Sequence, residues 1–145
     1  MKSVKEISIT LENKPGTLSE ISELISTGGI NILAITARTT GAEGTVSFVA
    51  SDPSRAISIL DSAGHSPIVK DIIAAETPNH PGGFNAILRP LKRKGINIDY
   101  LYPCISAYGA GDRSIILLGV NDLAAAYETL SGEWIKMYGE ELYDM

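Results

Sequence analysis

The sequence has a single cysteine, few aromatic residues and no long apolar run. Cys104 is the only cysteine among 145 residues, so no disulfide can form within the chain, and this usage suits a reducing compartment. No apolar stretch approaches the roughly 18 residues of a membrane-spanning helix, and the N-terminus lacks the apolar core of a signal peptide. We therefore expect a cytoplasmic protein without membrane contacts.

Basic residues are also few, since 12 Lys and Arg stand against 17 Asp and Glu and give a net charge of −5. An acidic chain has no long-range attraction for phosphate backbones or anionic lipid. Aromatic side chains that could stack on bases are nearly absent from the predicted inner strands, where Phe48 stands alone. The sequence thus predicts no nucleic-acid partner.

Side chains suited to catalysis are limited to Cys104, His65 and His80. No paired carboxylates, no His/Cys set with metal-ligand spacing and no Gly-rich phosphate loop accompany them. We expect a protein that is not an enzyme and that uses no metal or cofactor. The alternative left open is a small enzyme that uses Cys104 and the tyrosines between residues 100 and 108.

What the sequence does contain is a pair of motifs that occurs twice. Residues 13–16 (NKPG) recur as residues 79–82 (NHPG), and residues 29–32 (GINI) recur as residues 95–98, both 66 positions later. One such turn motif is weak evidence, but two motifs duplicated in register indicate an internal duplication. The repeat predicts two domains, residues 1–70 and 71–145.

Each copy has the apolar periodicity of the element order βαββαβ. Strands are predicted over residues 7–11, 30–38, 46–50 and 67–70, with helices that begin at Pro15 and Pro53. In the second copy strands are predicted over 71–77, 96–102, 114–120 and 134–138, with helices over 81–94 and after Asp122. Asp52 is predicted to cap the second helix, and Asp122 has the same place in the second copy. Leu18, Ile21 and Ile25, matched by Phe84, Ile87 and Leu91, form the apolar stripe of the first helix in each copy.

This order predicts an α+β fold of two tandem ferredoxin-like units, each a four-stranded antiparallel sheet with both helices on one face. A unit of about 70 residues buries only roughly 60% of the surface that its unfolded chain exposes. We therefore expect the two units to pack together or to pair with a second chain, as a homodimer that forms through sheet edges.

The duplicated turn has the groups that a zwitterion needs. Its glycine lets a small ligand approach the backbone, and the start of a helix favours a carboxylate. Asn13 and Asn79 can each donate and accept a hydrogen bond. They could instead only hold their turns through their own backbone. A second duplicated asparagine, Asn31 and Asn97, favours the binding role.

These motifs resemble the ACT family of amino-acid-binding regulatory domains, in two tandem units over nearly the whole chain. The resemblance implies an amino acid bound between two ACT units and a role in regulating a partner enzyme or transporter. In the serine-regulated phosphoglycerate dehydrogenases the two asparagines meet across the ligand, which implies that Asn13 faces Asn97 and that Asn79 faces Asn31. The implied binding residues are Asn13, Pro15, Gly16, Thr17, Leu18 and Asn31, with Asn79, His80, Gly82, Gly83, Phe84, Asn97 and Tyr100.

The chain departs from those dehydrogenases at Leu11 and Thr77, where they have a ligand-contacting histidine, and this argues against serine as the ligand. Tyr100, Tyr102 and Tyr108 and a loop four residues longer occur only in the second copy, so the two sites are expected to differ. The alternative function is that of a regulatory subunit similar to the small subunit of acetolactate synthase, which the first copy also resembles.

Overall fold

The computed structural model describes residues 1–105 and 113–145, and Tyr108 lies outside the described residues. The chain forms two compact units. The N-terminal unit is Lys5–Lys70, and the C-terminal unit is Asp71–Met145 together with Met1–Val4. Each is described by itself below.

The elements follow the predicted order. The chain begins with β1 (Val4–Glu12), α1 (Thr17–Thr27), β2 (Ile32–Thr40), β3 (Glu43–Ala50), α2 (Pro53–Ser62) and β4 (Ile68–Pro78). It continues with α3 (Asn85–Arg93), β5 (Ile98–Pro103), β6 (Arg113–Val120), α4 (Leu123–Gly132), β7 (Met137–Tyr138) and a 3-10 helix (Glu140–Asp144). The predicted strand over residues 67–70 is the beginning of β4. The ferredoxin-like α+β class is confirmed.

Antiparallel pairing orders the strands of each unit. In the N-terminal unit β3 lies between β1 and β2, with Phe48 opposite both Ile7 and Ile35. In the C-terminal unit β6 lies between β4 and β5, and β7 pairs with the other edge of β4. Because successive side chains of a strand point to opposite faces of the sheet, this register places the alternating apolar residues of neighbouring strands on the same face.

The helices cover that face in both units. In the N-terminal unit Ile7, Ile9 and Phe48 of the sheet are buried in one cluster with Ile25 of α1 and Leu60 of α2. The equivalent cluster of the C-terminal unit contains Ile73, Ile87, Leu91, Ile116, Leu118 and Leu130. Each fully buried side chain of this size contributes about 1.5–3 kcal/mol, so the helix-covered face is the main source of stability.

The two second helices begin alike. The Asp52 carboxylate accepts a hydrogen bond from the Arg55 N–H at 3.1 Å, and the Asp122 carboxylate accepts one from the Ala125 N–H at 3.1 Å. The predicted N-cap is confirmed at Asp52 and repeated at Asp122.

The first helix of each copy begins later than predicted, at Thr17 rather than Pro15 and at Asn85 rather than Pro81. Gly16 has φ 94° and Gly82 has φ 82°, both in the left-handed region. A right-handed helix cannot include such a residue, so each helix starts beyond its glycine. The predicted stripe is also shorter, because Leu18 is 44% exposed and Phe84 is 49% exposed.

The predicted strand over residues 134–138 is wrong in its first half. Only Met137 and Tyr138 pair with β4, and the N–H of Glu76 extends the contact by donating to the Lys136 carbonyl at 2.9 Å. Trp134 instead ends the α4 corner with φ 61°, and it is the only residue other than glycine with positive φ in the described part of the chain. A left-handed conformation costs a bulky residue about 1–2 kcal/mol.

The first and last segments of the chain both belong to the C-terminal unit. Leu142 of the 3-10 helix is fully buried, and the Lys2 ammonium donates to the Glu141 carboxylate at 2.6 Å. That hydrogen bond lowers the pKa of Glu141 to about 2. Both side chains are about half exposed, so solvent screens the attraction between them.

Glu76 of β4 contacts side chains from two neighbouring strands, β7 and β6. The Tyr138 hydroxyl donates to one Glu76 carboxylate oxygen at 2.9 Å, and the Arg113 Nε lies 3.3 Å from the other. Burial, followed by the hydrogen bond to Glu76, raises the pKa of Tyr138 to about 12 from its usual 10.0.

We predict that this tyrosine makes stability fall in strong base. Its folded pKa is raised, so the stabilisation is complete below the unfolded pKa of 10.0 and is lost as the pH rises through about 12. Tyr138→Phe should lower the free energy of unfolding by about 1 kcal/mol at neutral pH, because it loses one hydrogen bond. Urea unfolding across this pH range should show the difference from wild type shrinking; a constant difference would contradict the assignment.

We predict that Gly83 cannot be replaced without moving backbone. A Cβ atom on Gly83 would lie 1.9 Å from the Pro78 carbonyl oxygen, whereas one on Gly132 would meet nothing within 4 Å. Gly83→Ala should therefore destabilise the protein by about 2 kcal/mol in denaturant unfolding. Gly132→Ala is the matched control and should be neutral or stabilising by up to about 1 kcal/mol. Equal effects of the two variants would refute the close approach.

Candidate functional site

Asn13 fixes the first duplicated turn to the hairpin that joins β2 and β3. Its side-chain Nδ2 donates to the Gly41 carbonyl at 3.0 Å, and its backbone N–H donates to the Ala42 carbonyl at 2.8 Å. Asn13 therefore has a structural contact, but its side chain bonds the hairpin rather than the backbone of its own turn. Its Oδ1 remains as the acceptor for another group.

Thr17 closes the same turn from the helix side. Its hydroxyl lies 3.1 Å from the Glu12 carbonyl oxygen and 3.1 Å from the Lys14 carbonyl oxygen, and it can donate to either. Gly16 caps α1 without a side-chain hydrogen bond. The Thr17 N–H donates to the Lys14 carbonyl at 3.5 Å, whereas the next two N–H groups, of Leu18 and Ser19, have no partner from the helix itself and are open to an acceptor.

A cavity of about 300 Å³ lies beside this turn, inside the N-terminal unit. Its lining from the turn is Leu11, Glu12, Asn13, Lys14, Pro15, Gly16, Thr17 and Leu18, and its lining from the sheet is Ala37, Arg38, Thr39, Gly44, Thr45 and Val46. Five of the six residues predicted for the first copy therefore surround one cavity, and the sixth, Asn31, does not. A volume of this size is at the lower end of small-ligand sites.

Sequence reasoning missed the rest of that lining. The Lys14 ammonium lies 3.2 Å from the Glu12 carboxylate, and this exposed ion pair belongs to the rim. Ala37 and Thr39 stand opposite Val46 and Gly44 in the pairing of β2 with β3. Only a prediction of the strand register would have shown that Ala37 and Thr39 lie beside the turn.

The second duplicated turn has a different conformation. The Gly83 N–H donates to the His80 carbonyl at 2.9 Å, and His80 Nδ1 lies 2.9 Å from the Pro81 carbonyl oxygen. Gly83 occupies the place of Thr17 and packs directly on the Pro78 carbonyl. Asn79 is exposed, and its side chain makes no hydrogen bond to any described residue.

The second pair of asparagines uses its backbone alike in both units. The Asn31 N–H donates to the Ser51 hydroxyl at 2.9 Å, and the Asn97 N–H donates to the Asn121 side-chain oxygen at 3.1 Å. Their side chains differ. Asn97 Nδ2 donates to the Asp99 carboxylate at 2.8 Å, whereas the Asn31 side chain makes no hydrogen bond to a described residue.

Within one unit the two asparagines lie at opposite ends of the sheet. Asn13 contacts the hairpin after β2, and Asn31 immediately precedes β2, a strand of nine residues. At a rise of about 3.3 Å per residue the strand separates them by roughly 30 Å. Asn79 and Asn97 are likewise at opposite ends of the eight-residue β6, since Pro78 pairs with Arg113 and Ile98 with Val120. No single unit can bring both asparagines to one ligand.

Tyr100 packs against its own sheet. A Cβ atom on Gly119, its partner across the β5–β6 pairing, would come within 2.2 Å of the Tyr100 ring. The ring also stacks on Tyr102, with centroids 6.3 Å apart. Tyr100 lies near the Asn97 end of the sheet, and the structure does not bring it to the Asn79 turn.

The described residues include no group of three or more His, Cys, Asp or Glu side chains arranged to hold a metal ion. Of the helices that the structure describes, none has both the length and the apolar composition needed to cross a membrane.

Comparison with known protein families decides the family. A model of the ACT domain pair matches residues 2–138. This chain belongs to the ACT domain family. ACT domains are regulatory, and the duplicated turns described above are the corners between first strand and first helix in an ACT pair.

Solved structures support the same fold for this ACT pair. A protein of Bacteroides thetaiotaomicron has a TM-score of 0.90 and 24% identity, over 99% of this chain and 97% of that one. The regulatory subunit of aspartate kinase from Thermus thermophilus has a TM-score of 0.65 and 14% identity, over 92% of this chain and 94% of that one. Its counterpart from Thermus flavus has a TM-score of 0.59 and 15% identity over the same shares, 92% and 94%. No curated protein matches the sequence.

We predict that the two turn asparagines contribute differently to the free energy of unfolding. Asn13→Ala removes the hydrogen bond to the Gly41 carbonyl and should lower the free energy of unfolding by about 1 kcal/mol. Asn79→Ala removes no protein contact and should change it by less than about 0.5 kcal/mol. Urea unfolding of both variants without ligand checks this, and an equal loss at Asn79 would contradict the described turn.

Proposed function

We propose that this ACT pair is a non-catalytic sensor that binds a free amino acid at the interface between ACT units and regulates a partner protein in amino-acid metabolism. The observation that carries the proposal is the position of the asparagines. Each unit places its two duplicated asparagines at opposite ends of the sheet, so a ligand that uses both kinds needs one end from each of two units.

The first turn has the chemistry for an amino acid. Free N–H groups at the start of α1 suit an α-carboxylate, and the free Oδ1 of Asn13 suits an α-ammonium group. Apolar side chains stand beside both turns, since Leu18 and Phe84 hold equivalent places and are about half exposed. A soluble protein gains nothing from exposing the same apolar position twice, whereas the side chain of a bound amino acid would cover it.

The proposed site residues keep the pairing that the family resemblance implies, Asn13 with Asn97 and Asn79 with Asn31. Pro15, Gly16 and Thr17 in the first copy, and His80, Gly82 and Gly83 in the second, shape the two turns. Because Gly83 replaces Thr17 and the turns differ in conformation, the two copies should differ in affinity.

The partner is proposed to be an enzyme of biosynthesis. Two of the solved structures similar to this chain are regulatory subunits of aspartate kinase, and both are ACT structures of nearly the same length. They favour the second candidate function, a regulatory subunit that works only when bound to its enzyme, as in the acetolactate synthase resemblance. We also propose that the chain assembles as a homodimer.

We predict that one or a few of the twenty amino acids raise the melting temperature. A ligand at 100 times its dissociation constant adds about 2.7 kcal/mol to the free energy of unfolding. Thermal-shift screening measures this, and a flat response to all twenty would refute the sensor while leaving the regulatory subunit possible. Asn79→Ala should weaken binding and reduce the shift without lowering the ligand-free melting temperature.

We predict that the exposed apolar residues contribute to affinity. Leu18→Ser and Phe84→Ser should each weaken binding of the amino acid about tenfold, which corresponds to about 1.4 kcal/mol of lost contact. Leu101→Ser is the comparison, because Leu101 is 38% exposed and lies outside both turns, next to Tyr100 on β5. Calorimetric titration checks all three; a loss as large for Leu101→Ser would contradict the assignment of the apolar contact to the turns.

A further inference from the structure

Trp134 occupies a backbone position that the same chain fills elsewhere with glycine. The Trp134 N–H donates to the Ser131 carbonyl and the Ile135 N–H to the Leu130 carbonyl. In the N-terminal unit the Gly64 N–H donates to Asp61 and the His65 N–H to Leu60 in the same pattern. Gly64 has φ 88° and Trp134 has φ 61°, so both corners require a left-handed residue.

Folding of the unit gains nothing from this tryptophan. Its side chain is 94% exposed, the most exposed large apolar residue in the described part of the chain. Tryptophan at positive φ is strained, and strain without burial persists where another molecule uses the side chain. Tryptophan is also the residue that most often dominates binding energy at protein interfaces.

The surface beside Trp134 is basic although the chain is acidic. Helices α3 and α4 contain Arg89, Lys92 and Arg93 against one acidic residue, Glu128. A groove of about 460 Å³ lies between them, and its charged lining is Arg93, Lys94, Glu128 and Glu133, the last being the neighbour of Trp134 in sequence. Glu133 is paired with Arg93 at 2.7 Å, whereas Lys92 and Lys94 are exposed and have no ion-pair partner among the described residues.

The equivalent surface of the N-terminal unit has the opposite charge. Helices α1 and α2 contain three acidic residues, Glu20, Glu23 and Asp61, against Arg55. The groove between them is larger, about 730 Å³, with Leu24, Ile59 and Ala63 among its apolar lining and Glu20, Glu23, Arg55 and His65 among its polar lining. The two pairs of helices therefore differ in the sign of their net charge: α3 and α4, beside the exposed ring, have more cations than carboxylates, and α1 and α2, beside the groove, have more carboxylates than cations.

We propose that the helical surface around Trp134 docks on a second copy of this chain, with the indole in that copy's α1–α2 groove and Lys92 and Lys94 facing Glu20 and Glu23. The second copy is the occupant because it has the complementary charge and an apolar groove with room for the ring. This contact is separate from the amino-acid site and from pairing through sheet edges, and neither depends on it.

The fluorescence of Trp134 tests the docking directly, because it is the only tryptophan in the sequence. As the concentration of the intact chain rises from nanomolar to high micromolar, the emission should shift to the blue and acrylamide quenching should fall. The mass from sedimentation velocity should rise over the same range, and high salt should move both transitions to higher concentration. Emission of an exposed, quenchable indole at every concentration would overturn the proposal whatever the mass, because pairing through sheet edges would raise the mass and leave the indole exposed.

Charge reversal identifies the partner surface. Glu20→Lys with Glu23→Lys makes both helical surfaces basic, and Lys92→Glu with Lys94→Glu makes both acidic, so each double variant alone should self-associate at least tenfold more weakly. Mixing the two variants should restore the association. Glu43→Lys, on β3, is the control and should associate like wild type. A mixture that stays dissociated would overturn the proposal.

Trp134→Gly separates docking from folding. It should abolish the salt-sensitive association, leave pairing through sheet edges unchanged, and unfold at the same or a higher denaturant concentration than wild type, because glycine adopts positive φ without strain. Salt-sensitive association that survives in this variant would overturn the proposal.

Discussion

The strand register of each unit is the constraint on which the functional account depends. Phe48 stands opposite both Ile7 and Ile35, and this alignment sends the apolar side chains to the face that the helices cover. The same alignment fixes which loops meet at each end of the sheet. It places the Asn13 turn against the β2–β3 hairpin and leaves Asn31 about 30 Å away at the other end of β2. A slip of one residue would expose the core, so the separation of the asparagines cannot be adjusted without loss of the fold.

Duplication has preserved the scaffold more closely than the site. Asp52 and Asp122 cap their helices through the same hydrogen bond, and Asn31 and Asn97 donate their N–H groups to equivalent side chains. The turns have diverged: the Thr17 hydroxyl bridges two carbonyls where Gly83 packs on one. In the sensor that we propose, the two unequal turns would give two sites of unequal affinity.

The sequence predicted what depends on short-range patterns. The alternation and helical spacing of apolar residues predicted the order of elements. The Asp52 cap was predictable because it joins residues only three positions apart. The predictions that were wrong concern features that depend on backbone conformation and strand register. The left-handed Gly16 and Gly82 delay their helices, and the left-handed corner at Trp134 shortens the last strand. Tryptophan gives no sequence signal for positive φ; only its alignment with Gly64 could have indicated it. Likewise Ala37 and Thr39 join the cavity because they lie across from Gly44 and Val46, a contact that only the folded sheet creates.

The central claim is that an amino acid binds at the ends of the sheets where the turns and the second asparagines lie. Backbone amide NMR spectra of the intact chain, recorded with each of the twenty amino acids in millimolar excess, test it most directly. The account predicts that at least one of them shifts the amide signals of residues 13–18 or 79–84 together with those of Asn31 or Asn97. Spectra unchanged by every amino acid, or shifts confined to the helical surfaces, would contradict it.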